Sequence, residues 1–254
     1  MSKSVSLVVT LLALIAFGSL ASAQSATCNT SYTFTAGSGN FNMSFCLTDN
    51  GNIVQYATPT TSEHLSSQSE GYGICDTNPL NGKNVNYYDY AGGGAANWGA
   101  VTSVVQLGGA GTLPLTITRL TADGVWQLAQ TFTQSVPDRA IKIKMDFTNL
   151  SGVDRSINIL RFANIDANAL TDNDFEATLY SSFAANQNLG GIQLRDWANV
   201  ADVPMVFSVP DGPKPCSLSP STVQFSGDGA IGLQYNRTVK AGATKTVKVL
   251  YRPI

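Results

Sequence analysis

Apolar and polar residues alternate with a period of two along much of this chain. The clearest run spans residues 140–150, where the apolar set Ile141, Ile143, Met145 and Phe147 alternates with the polar set Lys142, Lys144, Asp146 and Thr148. Such alternation predicts a strand with one face on a core and the other in water. A similar run from Phe41 to Leu47 leads into Asp49-Asn50-Gly51 and resumes at Asn52, which predicts a β-hairpin.

Other strand-like segments follow one another with short turn sequences between them. Four of them predict an antiparallel meander over residues 113–162, and two more predict a closing hairpin from residues 231–239 and 244–253. Parallel strands need crossovers of about a dozen residues or more, and these links are shorter. The sequence therefore predicts an all-β fold, an antiparallel β-sandwich of two packed layers, with a supersandwich as one form of it.

The N-terminal residues have a different pattern. Lys3 precedes an almost unbroken apolar run from Val5 to Phe17, and Ala21-Ser22-Ala23 supplies the small residues after which signal peptidases cleave. We expect residues 1–23 to be a secretory signal peptide and residues 24–254 to form a single domain. No later apolar run reaches about 18 residues, so no transmembrane segment is expected in the mature chain. The expected location is secreted, periplasmic or cell-surface.

Composition narrows the set of partners. The formal net charge is only −2, which argues against a nucleic-acid partner because such a partner requires a basic face. Charged residues make up 13% of the chain, and this low share suits an extracellular β protein rich in small polar residues.

All four cysteines lie after the expected signal peptide. An even number in an oxidising compartment predicts two disulfides, for which three pairings are open. We favour Cys28–Cys46, which would tie the N-terminal strand to its neighbour, and Cys75–Cys216, which would close a long loop. A zinc site is disfavoured because the chain has no C-x-x-C motif and only one histidine.

The densest group of oxygen ligands lies between residues 165 and 176. Its members are Asp166, Asn168, Asp172, Asp174 and Glu176. Calcium takes about six to eight oxygen ligands, so these residues are candidate calcium ligands, and no other cofactor is expected. The spacing matches no EF-hand, and the alternative interpretation is a polar turn between strands.

A second candidate site is aromatic. Tyr88, Asp89, Tyr90 and Trp98 flank a glycine-rich stretch, Gly92-Gly93-Gly94. Exposed aromatic rings stack on sugar rings, and a nearby carboxylate can accept hydrogen bonds from hydroxyl groups, so these four residues are a candidate carbohydrate site. The alternative is that the aromatic side chains fill the core and the glycines mark a connection.

Hydrolytic machinery is sparse. His64 is the single histidine, no G-x-S-x-G motif occurs, and we expect His64 to be an exposed loop residue. A glycosidase or lyase can instead use two carboxylates, with Asp166, Asp174, Glu176 and Arg161 as candidate acid, base and charge stabiliser. Sequence alone does not show that two of these carboxylates lie at the distance that catalysis requires, so an enzyme is the less favoured hypothesis.

Three stretches carry a resemblance to known proteins. They are Glu70-Gly71-Tyr72-Gly73-Ile74-Cys75, the run from Tyr87 to Tyr90 that leads to Asn97-Trp98-Gly99, and the segment from Arg161 to Phe175. They resemble secreted bacterial β-sandwich proteins of uncharacterised activity, and residues 241–247 resemble the last hairpin of many bacterial surface β-domains. A more distant likeness to sugar-binding supersandwich folds implies a related architecture, although the histidines on which such epimerases rely have no match beyond His64.

These observations favour a secreted, non-catalytic β-sandwich protein with a binding or surface-interaction role, and carbohydrate is the candidate partner. The first alternative is a carbohydrate-active enzyme that uses the carboxylates of residues 166–176. The second alternative is a structural component of an envelope or matrix.

Overall fold

The computed structural model describes residues 27–77, 82–186, 190–208, 212–218 and 224–254. The expected signal peptide, residues 1–23, lies outside the described residues. Within them the chain is built from strands and four single-turn 3₁₀ helices, at Thr30–Tyr32, Gly39–Phe41, Ala167–Ala169 and Pro215–Ser217. No helix among the described residues is long and apolar enough to span a membrane.

Eighteen strands form three sheets. They are β1 (Thr33–Ala36), β2 (Met43–Leu47), β3 (Ile53–Ala57), β4 (Leu65–Asp76), β5 (Val85–Tyr90), β6 (Gly94–Ala96), β7 (Trp98–Gln106), β8 (Leu115–Thr121), β9 (Trp126–Ser135), β10 (Ala140–Asn149), β11 (Arg155–Ile165), β12 (Asn173–Ala177), β13 (Ser181–Asn186), β14 (Gly190–Asp196), β15 (Val203–Phe207), β16 (Gln224–Gly227), β17 (Ala230–Val239) and β18 (Thr244–Pro253).

Every pair of neighbouring strands is antiparallel. The nine-stranded sheet has the order β16-β12-β13-β14-β18-β10-β9-β8-β7, and the six-stranded sheet has the order β15-β17-β11-β4-β5-β6. A three-stranded sheet, β1-β2-β3, contains the hairpin predicted around Asp49-Asn50-Gly51. The predicted all-β antiparallel sandwich is therefore confirmed.

The core lies between the two large sheets. On β10 the predicted apolar residues Ile141, Ile143, Met145 and Phe147 are fully buried, while Lys144 on the opposite face is exposed. The inward residues of β11 and β17 belong to the same apolar cluster, so one continuous core joins the sheets. Burying these faces supplies the main driving force for folding.

Two strand pairings predicted from the sequence are wrong. The meander stops after β8, β9 and β10, because β11 crosses to the six-stranded sheet and pairs with β17 and β4. The closing hairpin is absent as well, since β17 pairs with β11 and β15 whereas β18 pairs with β10 and β14. A short turn can join strands of one sheet or of two facing sheets, and alternation along each strand is the same in both cases.

Both disulfides form as expected. Cys28 pairs with Cys46, and Cys75 pairs with Cys216 across 141 positions of sequence. The second bond fastens the single-turn helix at Pro215–Ser217 onto the outer face of β4. Two disulfides indicate an oxidising environment.

Candidate functional site

The aromatic candidates divide between the two faces of β5. Tyr88 and Tyr90 lie on the outer face of the six-stranded sheet, with ring centroids 5.2 Å apart. Residues 212–218 lie over this face, and the Tyr90 hydroxyl donates to the Pro213 carbonyl at 2.7 Å. Pro215 packs so closely against β4 that position 73 must be a glycine, because a Cβ there would lie 2.5 Å from Pro215 Cγ.

Asp89 points the other way, into the space between the sheets. It forms an ion pair with Arg119, whose guanidinium also donates to the Tyr72 hydroxyl at 2.8 Å and lies 5.4 Å from the Trp98 ring. Burial raises the pKa of Asp89, and Arg119 opposes that rise. The structure thus places Asp89 near Trp98, and Tyr88 beside Tyr90, but does not bring the two pairs onto one surface. A ligand site on either pair stays a prediction.

Three ion pairs are buried in the core: two join β4 to β11 within the six-stranded sheet, and the third joins β5 to β8 across the two large sheets. They are Glu70–Arg161, Asp76–Arg155 and Asp89–Arg119. Burial raises the pKa of Glu70, while Arg161 and a hydrogen bond from the Tyr251 hydroxyl oppose the rise. Because these carboxylates are enclosed and paired, they are closed to a solvent-borne ligand.

Arg161 was a candidate charge stabiliser for the carboxylates of residues 166–176. The structure places it in the core, where its guanidinium lies 2.5 Å from Glu70 and donates to Gln130 Oε1 at 2.8 Å. The sequence contains a sign of this burial, because Arg155 and Arg161 occupy the same alternate positions of β11 as Ile157 and Ile159, whose side chains face the core.

The carboxylate-rich segment forms a turn followed by β12. In β12 the buried Asn173 and Phe175 alternate with the partly exposed Asp174 and Glu176, so these two carboxylates share one face. A cleft of about 390 Å³ lies beside Asp174. It is lined by Leu170, Thr171, Asp172, Asn173, Asp174, Asn186 and Ser226, and we call these seven residues the acidic cleft.

Three strands position the polar groups of the acidic cleft. Ser226 of β16 donates to Asp174 Oδ1 at 2.5 Å, and Asn186 of β13 donates to the Asp172 carbonyl at 3.1 Å. Asn173 donates to the Leu170 carbonyl at 2.7 Å, and its buried Oδ1 atom has no hydrogen-bond partner within the described parts of the chain. Sequence reasoning missed Asn186 and Ser226, because strand pairing alone brings them to β12.

The candidate calcium ligands are only partly gathered. Asp172 and Asp174 line the acidic cleft, whereas Asp166, Asn168 and Glu176 are not among its lining residues. Among the described residues, no group of three or more His, Cys, Asp or Glu side chains could hold one metal ion. Calcium binding by this segment stays a prediction.

The expectation for His64 is wrong. Its side chain is only 2% exposed, and its Nε2 atom lies 3.1 Å from the Thr58 carbonyl, which assigns the proton to Nε2. Burial lowers the pKa of His64, and the positive charge of Arg139 adds to that effect while the Thr58 carbonyl opposes it. The polar residues around it in the sequence suggested a loop, but Leu65 already begins β4.

The sequence matches no protein-family model and no curated protein. Among solved structures, a bacterial glucoamylase complexed with acarbose has a TM-score of 0.65 at 10% identity, covering 91% of this chain and 33% of that protein. A polysaccharide lyase has a TM-score of 0.54 at 11% identity, with 86% and 33% covered. The heparan sulfate lyase HepC from Pedobacter heparinus has a TM-score of 0.50 at 10% identity, with 89% and 35% covered. This chain thus spans about a third of each, and the likeness at such identities shows the β-sandwich fold.

Proposed function

We propose that this chain is a secreted, non-catalytic protein that binds carbohydrate in the acidic cleft. One observation carries the proposal: the cleft gathers two carboxylates, two carboxamides and two hydroxyl groups around about 390 Å³ of space. Pockets for small ligands commonly enclose about 300–1,000 Å³ and present a few convergent polar groups.

The lining chemistry suits a sugar. Sugar hydroxyl groups both donate and accept, and the carboxylates of Asp172 and Asp174 accept the stronger, charge-assisted hydrogen bonds. The carboxamide of Asn186 offers both a donor and an acceptor. Leu170 is 41% exposed and gives the apolar C–H face of a sugar ring a surface to pack against.

Two further facts support a carbohydrate-related role. The three structures with related folds are named as a glucoamylase, a polysaccharide lyase and a heparan sulfate lyase. The two disulfides agree with a protein that meets its ligand outside the cytoplasm. The carboxylates Glu70, Asp76 and Asp89 are buried and each paired with an arginine, which removes them as candidate catalytic acids and favours the non-catalytic hypothesis.

The test is a panel of neutral oligosaccharides screened by glycan array, with calorimetry on each ligand that binds. Asp174→Asn keeps the shape of the side chain and removes the charge, and it should weaken binding about tenfold or more, as expected for a hydrogen bond to a charged group. Asn186→Ala should weaken it as well. Asp138→Asn, an equal charge change in the turn between β9 and β10, should leave binding unaltered. Binding to no glycan, or equal affinity of Asp174→Asn and wild type, would refute the proposal.

One observation favours a second candidate, a carbohydrate-active enzyme: Asp172 and Asp174 line the same cleft. Glycosidases use two carboxyl groups that flank the scissile bond. Incubating the bound glycan with wild type and with the double variant Asp172→Asn/Asp174→Asn separates the candidates. Release of reducing ends by wild type alone would establish catalysis, whereas an intact glycan in both reactions supports simple binding.

A further inference from the structure

A second surface lies on the solvent side of the nine-stranded sheet, on the neighbouring strands β14, β18, β10, β9 and β8. Its side chains stand in cross-strand rows set by the register. The first row pairs Gln193 with Arg252. The second row holds Arg195, Leu250, Lys142 and Thr133. The third row holds Trp197, Lys248, Lys144, Thr131 and Thr116. We call Lys142, Lys144, Arg195, Lys248, Arg252 and Trp197 the cationic face.

Charge is distributed unevenly onto this surface. The chain contains 15 Lys and Arg against 17 Asp and Glu, yet the solvent side of these five strands carries five cations and one carboxylate, Asp146. The net charge of the whole chain therefore conceals a basic face. Concentrated charge of one sign attracts ligands of the opposite sign.

The cations of this face are poorly neutralised by the protein itself. Lys144 lies 2.6 Å from Asp146, but in the described part of the chain no carboxylate is within ion-pair distance of Lys142, Arg195, Lys248 or Arg252. Lys144 and Lys248 also occupy directly opposed positions on β10 and β18, and like charges so placed repel. An anionic ligand would relieve that repulsion, and at Lys142, Arg195, Lys248 and Arg252 it would displace no ion-paired carboxylate of the described residues.

Trp197 adds an exposed ring to these charges. It is 46% exposed, and the Nζ atoms of Lys142 and Lys248 lie 4.9 Å and 5.3 Å from its ring centroid. An aromatic ring packs on the C–H face of a sugar, while the adjacent ammonium groups can pair with an acidic substituent on it. Ring and charge together therefore fit an acidic sugar better than either a neutral sugar or a bare anion.

We propose that the cationic face binds an acidic polysaccharide, a polymer whose sugar rings carry carboxylate or sulfate groups. Strands lie about 4.8 Å apart and same-face residues about 7 Å apart along a strand, so the five cations spread over roughly 10 by 14 Å, more than one sugar ring covers. Nucleic acid is another polyanion that could bind such a face. The two disulfides indicate an oxidising environment, which favours an extracellular polysaccharide over nucleic acid as the partner. The surface is separate from the acidic cleft, whose carboxylates would repel such a polymer.

The test compares three polymers with one backbone: dextran, carboxymethyl-dextran and dextran sulfate. Each is immobilised, and protein binding is measured by biolayer interferometry at several salt concentrations. We expect binding to the two acidic polymers only, weakening as salt rises. Lys142→Gln/Lys248→Gln and, separately, Trp197→Ala should each weaken it about fivefold to tenfold. The double variant Lys214→Gln/Lys240→Gln removes the same charge from exposed positions elsewhere and should bind as wild type.

Three results would overturn the proposal. These are equal binding to neutral dextran, unchanged binding by Lys142→Gln/Lys248→Gln, and binding to double-stranded DNA that is as tight as binding to dextran sulfate and insensitive to Trp197→Ala. Asp174→Asn should not weaken binding to the acidic polymers, so failure here and failure of the acidic cleft are separate outcomes.

Discussion

The buried pair of Glu70 and Arg161 joins neighbouring strands of the six-stranded sheet and is hydrogen-bonded to Tyr251 and Gln130 of the nine-stranded sheet, so its loss should destabilise the packing of both. Both side chains are fully buried, and Glu70 also accepts hydrogen bonds from the Tyr251 hydroxyl and the Ile53 N–H, each at 2.6 Å. The perturbations are Glu70→Gln, Arg161→Met and the two combined. Glu70→Gln preserves an acceptor for Ile53 but leaves the charge of Arg161 without its partner.

Removing one member of a buried ion pair costs about 3–5 kcal/mol, because the remaining charge is left uncompensated. Replacing both members removes that penalty, so the double variant should lose only about 1–3 kcal/mol. The two single losses would sum to about 6–10 kcal/mol, and we therefore expect a coupling energy of at least about 3 kcal/mol between the positions.

The two single variants should also differ with pH. In Arg161→Met the unpaired, buried carboxyl of Glu70 has a pKa above that of the unfolded chain, so the folded state binds more protons near that range. Its loss of stability should therefore grow as pH rises from about 5 to about 8, whereas Glu70→Gln has no carboxyl to titrate.

The assay is urea unfolding followed by tryptophan fluorescence, with the free energy of unfolding compared among the four proteins. A Glu70→Gln loss below about 1 kcal/mol, the scale of an exposed pair, would refute a closed, buried pair. Additive single losses would refute the coupling. Lys144→Gln, which breaks the exposed pair with Asp146, is the control and should change stability by less than about 1 kcal/mol.

Two further stability predictions follow from buried groups and covalent links. Burial lowers the pKa of His64 in the folded chain. As pH falls below about 6.5, the unfolded chain therefore binds a proton that the folded chain does not. The free energy of unfolding should fall in that range with a slope of up to about 1.4 kcal/mol per pH unit. His64→Gln should flatten this slope in urea unfolding between about pH 7 and pH 5.5, and an unchanged slope would contradict the assignment. Cys75→Ser/Cys216→Ser should cost about 5 kcal/mol and Cys28→Ser/Cys46→Ser about 3 kcal/mol, because the closed loops span 141 and 18 positions. Calorimetric melting that ranked the two variants in the reverse order would contradict the loop-length reasoning.

Local patterning predicted strands well and their partners poorly. The alternation of apolar and polar residues predicted both the position of β10 and its buried face, because only one side of that strand faces the core and the other faces water. β11 is buried on both faces, with Ile159 toward the core and Phe162 toward residues 212–218, and its pattern carries no information about which sheet it joins. The pairing of β18 with β10 depends on contacts about a hundred positions apart, which no local pattern reports.

The same limit applied to the two candidate sites. The carboxylates of the acidic cleft were found because they are adjacent in sequence, whereas Asn186 and Ser226 reach them through strand pairing. The cationic face was missed because Lys142 lies on β10, Lys248 on β18 and Trp197 directly after β14, and the three meet only through the register of the sheet. A net charge averages over such faces and hides them.

Carbohydrate binding in the acidic cleft can be located by mapping backbone amide shifts in an isotope-labelled sample that is titrated with the tightest neutral oligosaccharide from the array. We expect saturable shifts concentrated at residues 170–174, Asn186 and Ser226. Shifts that instead cluster around Tyr88 and Tyr90, or spectra unchanged at saturating sugar, would contradict carbohydrate binding in the acidic cleft.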